Sequence, residues 1–417
     1  MERKISKQNI NFLILICILA WMFIPKIQNF TGMIGIFSLI LLWILTSKFE
    51  ILIKKIIPIL CFFVFYLYAF VFYLLGTKFY GGINFLYFTS SFILFAFPSV
   101  LCLYYGEYLL PKKYLNFLIF ICIFFFLVAN INTLIVLIKY PYASRILATT
   151  GGEMYAKMGA GGYGFAYGCM LLFPVFIKVA IKTPKKSLKF LYIVSLLISF
   201  VVLVICQYTT LLIILLIELI LCLIWKTKWY IKLVIVIVIS LPFIFQKQTG
   251  NFFLLLSQLT SNLKFISSRL LDIAQIFIRD PNYTSDSARF DLYLKSLNGF
   301  LKSPIIGTAY STEYISGGHS TILDTLSLYG FVGLSMFVAP FVFSLLFAKR
   351  EYRFVFKKDS IFFVNIFAFT ILSVLNPTIY IYQLGISLFL IVPLFLSYTK
   401  IIGGKKVDPH NFAEVYL

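Results

Sequence analysis

The segment Ser316-Gly-Gly-His-Ser320 contains His319, the only histidine of the chain outside its last ten residues. Near neutral pH an imidazole can accept a proton from a hydroxyl group, so His319 is a candidate general base. Gly318 and Ser320 flank it, and Asp324 follows as a candidate supporting carboxylate. On one continuous helix this five-residue spacing would place His319 and Asp324 on poorly matched faces, so the spacing does not pair them. The alternative interpretation is an ordinary loop histidine.

Arg289 is the first candidate for binding an anion. The sequence around it predicts a helix that starts near residues 285–287, with Arg289 in its first turn. Free backbone N–H groups at the start of a helix, together with a guanidinium, suit a phosphate or a similar anion. The alternative is a solvated arginine paired with Asp286 or Asp291.

Three further arginines lie in segments of the same kind. Arg145 belongs to the stretch Lys139–Gly162, whose glycine-rich end, Gly159-Ala-Gly-Gly162, allows the backbone to approach a bound group closely. A flexible connector is the alternative for that stretch. Arg269 and Arg279 lie in a longer polar segment and are weaker candidates, because Arg269 and Asp272 could simply form a surface ion pair.

Composition indicates what must position these residues. The 417-residue chain is 61% hydrophobic and 12% charged, whereas an average soluble domain is about one quarter charged. Stretches of about twenty apolar residues can span a bilayer, and here they follow one another almost end to end. The predicted class is an all-α, polytopic integral membrane protein. We predict twelve transmembrane helices, at residues 8–25, 30–46, 56–76, 83–105, 114–138, 161–181, 190–207, 209–225, 229–246, 321–348, 360–376 and 378–399.

The basic residues predict the orientation of these helices. With both termini in the cytoplasm, most of the 36 Lys and Arg residues fall in cytoplasmic segments, which is the positive-inside pattern. The net charge of +21 therefore indicates membrane topology and not a nucleic-acid partner. Basic clusters at both ends of residues 190–225 favour a hairpin that turns at Gln207–Thr210 over a single long helix.

Four regions follow from this topology. They are residues 1–246 with transmembrane helices 1–9, an extracytoplasmic loop at 247–320, helices 10–12 at 321–399, and a cytoplasmic tail at 400–417. Apolar residues recur at helical spacing from Phe252 to Phe277, which predicts an amphipathic helix lying at the membrane interface. The second loop helix should end before Pro304. Glu218, in the eighth span, is an intramembrane ionisable residue and a further candidate; alternatively it reaches toward the cytoplasmic surface.

Several motifs that would define other functions are missing from the sequence. It contains no phosphate-binding P-loop, no Rossmann glycine fingerprint and no Asp-x-Asp pair for a metal-bound nucleotide sugar. The seven cysteines all fall in predicted spans and form no disulfide or zinc pattern. The sequence therefore predicts neither a bound metal nor a cofactor.

Five motifs together resemble the O-antigen polymerase and O-antigen ligase family of bacterial envelope polysaccharide assembly. The motifs are Ser287-Ala-Arg289 opening a helix, Ser303-Pro-Ile-Ile-Gly307, Gly318-His319-Ser320, Leu326-Ser-Leu-Tyr-Gly330-Phe-Val-Gly333, and Arg145 with the glycine-rich stretch after it. One departure is Gln207-Tyr-Thr-Thr210, since the family often has Ser-Arg in this outer turn.

The resemblance implies a GT-C-like glycosyltransferase of the bacterial cytoplasmic membrane. Its donor and acceptor would be polyprenyl-diphosphate-linked oligosaccharides, and its product an O-antigen, capsule or exopolysaccharide chain. His319 would be the general base, and Arg289 and Arg145, followed by Arg269 and Arg279, would bind the donor diphosphate without a metal ion. A chain-length regulator and a flippase are possible partners in addition to the lipid bilayer.

Other functions fit part of the same pattern. An O-antigen ligase differs mainly in its acceptor, which the sequence does not identify. A lipid-linked oligosaccharide flippase also has twelve or more spans, but it typically has short outer loops and places its charges inside the helical bundle. A structural membrane protein would not need outer-loop cations together with a histidine.

Overall fold

The fold is known from a computed structural model, which describes residues 7–54, 56–74, 85–107, 112–147, 152–224, 228, 230, 234, 237, 241, 244–262, 264–278, 284–311, 316–351, 360–378 and 381–402. Over these ranges the chain is almost entirely helical and has no strands. Seven of the helices are long and apolar enough to cross a membrane. The structure is therefore consistent with the predicted all-α membrane protein.

The described residues of the first half of the chain lie mostly in helices. These helices are α1 (Lys7–Phe23), α2 (Pro25–Thr46), α3 (Phe49–Lys54), α4 (Ile56–Leu74), α5 (Phe85–Glu107), α6 (Lys112–Lys139), α7 (Ala143–Ile146), α8 (Glu153–Met158), α9 (Tyr163–Lys182), α10 (Lys186–Ile205) and α11 (Thr209–Ile224). Residues 190–225 form two helices separated at 206–208, as the basic clusters at both ends predict. The stretch Lys139–Gly162, predicted as a flexible connector or a binding segment, contains the two short helices α7 and α8.

The number of spans stays a prediction. Four further apolar helices are shorter than the seven long ones, and together the two groups correspond in position to eleven of the twelve predicted spans. Most of the predicted ninth span, 229–246, lies outside the described residues, as does nearly all of the tail at 400–417.

The single amphipathic helix predicted between Phe252 and Phe277 is two helices, and on this point the prediction was wrong. Helix α12 (Gln246–Leu259) and helix α13 (Lys264–Ile278) pack against each other as a hairpin. The Phe253 and Phe277 rings stack with centroids 6.1 Å apart, and Ser257 Oγ lies 3.0 Å from Ser267 Oγ. Part of the apolar stripe therefore faces the other half of the hairpin.

The second loop helix, α14 (Thr284–Lys302), ends before Pro304, as predicted, and leads toward α15 (Thr321–Glu351). Helix α15 is broken at Gly330, whose φ of 62° is a left-handed conformation that favours glycine. The break frees backbone groups, and the N–H of Phe331 donates to the Pro304 carbonyl at 2.8 Å. On the other side of the break, the N–H of Thr308 donates to the Ser327 carbonyl at 2.8 Å. Two separate motifs, at 303–307 and 326–333, thus form one backbone-bonded unit.

The last helices complete the core around α9. They are α16 (Ser360–Leu375), α17 (Tyr382–Ile386), a π-helical turn (Ser387–Ile391) and α18 (Val392–Ile402). Helix α9 is buried along most of its length, and α17 packs against both α5 and α9. In contrast, α2 exposes apolar side chains such as Phe30, Ile34 and Leu45. Such a surface suits contact with lipid.

Candidate active site

His319 and Asp324 are linked through the backbone. Helix α15 begins at Thr321, so His319 precedes the helix, and the face argument for a five-residue spacing does not apply. The Asp324 carboxylate accepts hydrogen bonds from the N–H of Gly318 at 3.2 Å and from the N–H of Ser320 at 2.9 Å. One buried carboxylate therefore holds the peptide groups on both sides of His319, while the imidazole itself is exposed.

The same carboxylate is fixed from the other side by α14. Ser296 Oγ donates to Asp324 Oδ1 at 2.5 Å and accepts from the N–H of Gly317 at 2.9 Å. Gly317 lies so close to α14 that a Cβ there would overlap the carbonyl of Leu292. The helix that carries Arg289 is thereby attached directly to the loop that carries His319.

Ser320 and Gly318 have defined local roles in this loop. Ser320 caps α15, because its hydroxyl accepts a hydrogen bond of 3.0 Å from the N–H of Leu323. Gly318 has a φ of 72°, a left-handed conformation that lets its N–H point at Asp324. Gly318 and Ser320, like the third supporting candidate Asp324, thus shape the backbone around His319.

The chain that follows α16 joins this loop. The Tyr293 hydroxyl donates to the Leu375 carbonyl at 2.7 Å, and the N–H of Thr321 donates to the Asn376 carbonyl at 3.2 Å. Thr378 Oγ1 also donates to Thr321 Oγ1 at 3.2 Å. The end of α16 is therefore anchored beside the start of α15 and the first half of α14.

Arg145 belongs to a second polar cluster. Its neighbour Ser144 donates from Oγ to the Gly161 carbonyl at 2.9 Å, and the N–H of Gly161 donates to Thr133 Oγ1 at 2.9 Å. The Tyr208 hydroxyl, from the turn between α10 and α11, donates to the Ser144 carbonyl at 2.6 Å. Burial raises the pKa of the Tyr208 phenol, so it remains a donor at neutral pH. The backbone beside the exposed Arg145 is thus bonded to that turn and to the glycine-rich segment through Ser144.

The two clusters lie at the same end of the helical bundle. Gly164, in the first turn of α9, is so close to Ile381 and Gln383 that an added Cβ would crowd both side chains. Ile381 is in turn bonded to a residue that contacts Thr321, because the N–H of Ile381 donates to the Thr378 carbonyl at 2.9 Å. The segment between α16 and α17 therefore connects the His319 loop with the start of α9.

The structure gives less information on Arg289, Arg269 and Arg279 than on Arg145. Helix α14 begins at Thr284, so Arg289 is in its second turn and not in the predicted first turn. Only the first four N–H groups of a helix lack a hydrogen-bond partner within the helix. The backbone N–H of Arg289 therefore does not add to an anion site in the way that the sequence predicted. Arg269 lies in α13. The structure describes the backbone of Arg269 and Arg289 but not their side chains, and Arg279 is not among the described residues.

Gln207 is a candidate that sequence reasoning missed. Its φ is 59°, the only left-handed value for a residue other than glycine in the described chain. Its side chain is 4% exposed, and neither amide atom has a hydrogen-bond partner there. Strained backbone and unsatisfied buried groups both concentrate at binding sites. The polar run Gln207–Thr210 marks a turn in the sequence, but nothing in it indicates the sign of φ.

Within the described ranges no three His, Cys, Asp or Glu side chains come together in a way that could hold a metal ion. Comparison with protein-family models gives no match, and comparison with curated proteins gives none either.

Proposed function

We propose that this protein is a polysaccharide polymerase of the bacterial cytoplasmic membrane. It would transfer a polyprenyl-diphosphate-linked glycan chain onto a lipid-linked repeat unit at the outer face. The observation that carries the proposal is the exposed His319 on a loop held from both sides by Asp324, at the same end of the bundle as Arg145. This arrangement supports the same assignment that the family resemblance implies.

In the proposed reaction His319 accepts the proton of the acceptor hydroxyl as its oxygen attacks the anomeric carbon of the donor. The bond between that carbon and the diphosphate breaks, and the electron pair leaves with the diphosphate. Guanidinium groups stabilise the leaving charge, with Arg145 and Arg289 as the main candidates and Arg269 and Arg279 behind them. Asp324 is a positioning residue, because its carboxylate accepts hydrogen bonds from the backbone on both sides of His319.

Two alternatives remain. An O-antigen ligase would use the same chemistry with a different acceptor. A lipid-linked oligosaccharide flippase is favoured by one observation, the fully buried Glu218 inside α11, because transporters place charged groups within the bundle. The enzyme is preferred because His319 is exposed at the same end of the bundle as Arg145, whereas transporters place their charged groups inside the bundle.

The test replaces His319 with Ala and Arg145 with Ala in the producing strain, and compares surface polysaccharide with lipid-linked intermediates. His410→Ala is the matched control for the histidine. Lys157→Ala, at an exposed cation of the stretch Lys139–Gly162, is the control for Arg145. A polymerase predicts loss of long chains and accumulation of single lipid-linked repeats on the outer face. Accumulation on the inner face would favour the flippase, and normal chains in both variants would exclude the proposed site.

A further inference from the structure

Glu218 lies in the middle of α11, in an otherwise apolar helix, and its side chain is 0% exposed. Neither carboxylate oxygen has a hydrogen-bond partner among the described residues. An ionised carboxylate buried without a partner is strongly unfavourable, because nothing replaces its lost hydration. Ionisable residues inside membrane helices are rare for this reason and usually have a function.

A second buried polar side chain lies on a neighbouring helix. Asn365 of α16 is 0% exposed and donates from Nδ2 to the Leu171 carbonyl of α9 at 2.7 Å. Its Oδ1 has no partner within the described chain. Helix α9 also contains Pro174, which has no N–H to donate to the Met170 carbonyl four residues earlier. This region therefore concentrates oxygen atoms that can only accept hydrogen bonds.

The two side chains lie at similar depths in the bundle. Helices α9, α11 and α16 all pack against one another. The Tyr208 ring contacts those of Tyr163 and Tyr167, so the start of α11 is level with the first turn of α9. Glu218 lies about ten residues, or roughly 15 Å, further along α11. Leu171, whose carbonyl Asn365 contacts, lies four to eight residues along α9 from the same level. The depths of Glu218 and Leu171 in the bundle therefore differ by roughly 3–9 Å.

The directions of the helices bring the side chains closer still. The start of α9, at Gly164, contacts Ile381 beyond the end of α16, while Leu171 meets Asn365 further back along α16. Helix α16 is therefore antiparallel to α9, and it is also antiparallel to α11. Because side chains lean toward the start of their own helix, Glu218 and Asn365 lean toward each other.

We propose that the junction of α9, α11 and α16 is a cation site, in which an alkali-metal ion or a proton neutralises the Glu218 carboxylate. The carboxylate, the Asn365 amide oxygen and the Met170 carbonyl would be its ligands. Side-chain oxygens and backbone carbonyls that lack their usual hydrogen bonds coordinate Na⁺ or H⁺ in other membrane proteins. The site involves neither His319 nor the arginines, so it does not depend on the proposed glycosyl transfer.

Other titratable side chains on the packed helices must be considered in a pH experiment. They are Tyr163, Tyr167, Cys169, Lys178 and Lys182 on α9, and Lys186, Lys189 and Tyr192 on α10. Helix α16 has none, and α11 adds only Cys222. The effect of Glu218 is therefore measured as the difference in Tm response to pH or salt between the wild-type protein and a Glu218 variant.

The test measures the Tm of the purified full-length protein in detergent. Wild type and Glu218→Gln are compared in NaCl and in choline chloride at equal ionic strength, and then from roughly pH 6 to pH 9. Glu50→Gln, at an exposed glutamate of α3, is the matched control. His319→Ala should keep the wild-type response whether or not it abolishes polymer formation, which separates this proposal from the proposed function.

Two results would support the site and identify its occupant. If Na⁺ binds, NaCl raises the Tm of the wild type by several degrees and leaves Glu218→Gln unchanged. If a proton binds, Na⁺ has no specific effect, and the wild type loses stability relative to Glu218→Gln as the pH rises and the proton is lost. Identical responses of the two proteins in both series would overturn the proposal. If Glu218→Gln does not fold, Asn365→Ser replaces it, and an unchanged wild-type response in that variant is the overturning result.

Discussion

Ser296 and Asp324 are 28 positions apart in the chain, yet a hydrogen bond of 2.5 Å joins their buried side chains. Each makes further bonds, Ser296 with the N–H of Gly317 and Asp324 with the N–H groups of Gly318 and Ser320. Two helices and the loop between them are thus tied at one point. The position of the exposed imidazole therefore depends on residues that do not touch it.

Replacing Asp324 with Asn should reduce polymer formation while leaving the protein in the membrane. Asn has one acceptor oxygen in place of two and no negative charge, so at least one of the bonds from Gly318, Ser320 and Ser296 is lost. The loss should be about 1.5–3 kcal/mol, as for hydrogen bonds to charged groups. Thermal unfolding in detergent measures that loss, and chain-length analysis of the polysaccharide measures the functional effect.

A matched control separates positioning from general damage. Asp291→Asn makes the same change at an exposed position of α14 and should leave both measurements unchanged. If Asp324→Asn has wild-type chain lengths despite lower stability, the carboxylate has only a structural role.

The α12–α13 hairpin predicts a specific cross-link. Ser257 and Ser267 have their hydroxyl oxygens 3.0 Å apart, so cysteines at both positions should form a disulfide on mild oxidation. On one continuous helix the same residues would be roughly 15 Å apart, and no bond could form. The measurement is a change in gel mobility after proteolysis between the two positions, with Ser257→Cys alone as the control. Failure to cross-link would support the single amphipathic helix.

The positions of the membrane helices could be predicted from sequence because each depends on a local run of apolar residues. The break between α12 and α13 could not, because both halves continue the same apolar stripe across Thr260 and no proline or glycine marks the turn. Periodicity indicates which side chains share a face, but it does not identify what that face packs against.

The sequence predicts which residues are candidates for the site, but it does not predict the hydrogen bonds that these residues make. His319 and Arg145 stand out as polar residues between apolar spans. The bonds from Asp324 to the backbone around His319 depend on the helix starting at Thr321, a boundary that the sequence does not define to one residue. The strain at Gln207 depends on how two helices meet, so it is visible only in the folded chain.

Gly330→Ala should destabilise the protein strongly. The left-handed backbone at Gly330 costs an L-residue roughly 1–2 kcal/mol, and the added Cβ would overlap the carbonyl of Ile305. The expected result is a lower Tm and less folded protein in the membrane. Gly162→Ala is the control, since its φ is −88° and a Cβ there meets only ordinary contacts with Leu147. Equal stability of the two variants would mean that α15 is not broken at Gly330.

Gln207→Gly should make the protein more stable and less active. Glycine adopts a φ of 59° without strain, and it removes an amide that is buried without partners. Relief of the strain alone should raise the stability by roughly 1–2 kcal/mol, measured as an increase in Tm. If the amide binds a polar group of the substrate, such as a sugar hydroxyl, polymer length should fall in the same variant. Gln207→Ala keeps the strained backbone but lacks the amide, so it should lose activity without the full gain in Tm. A Gln207→Gly protein that is both more stable and fully active would show that the strain serves no binding function.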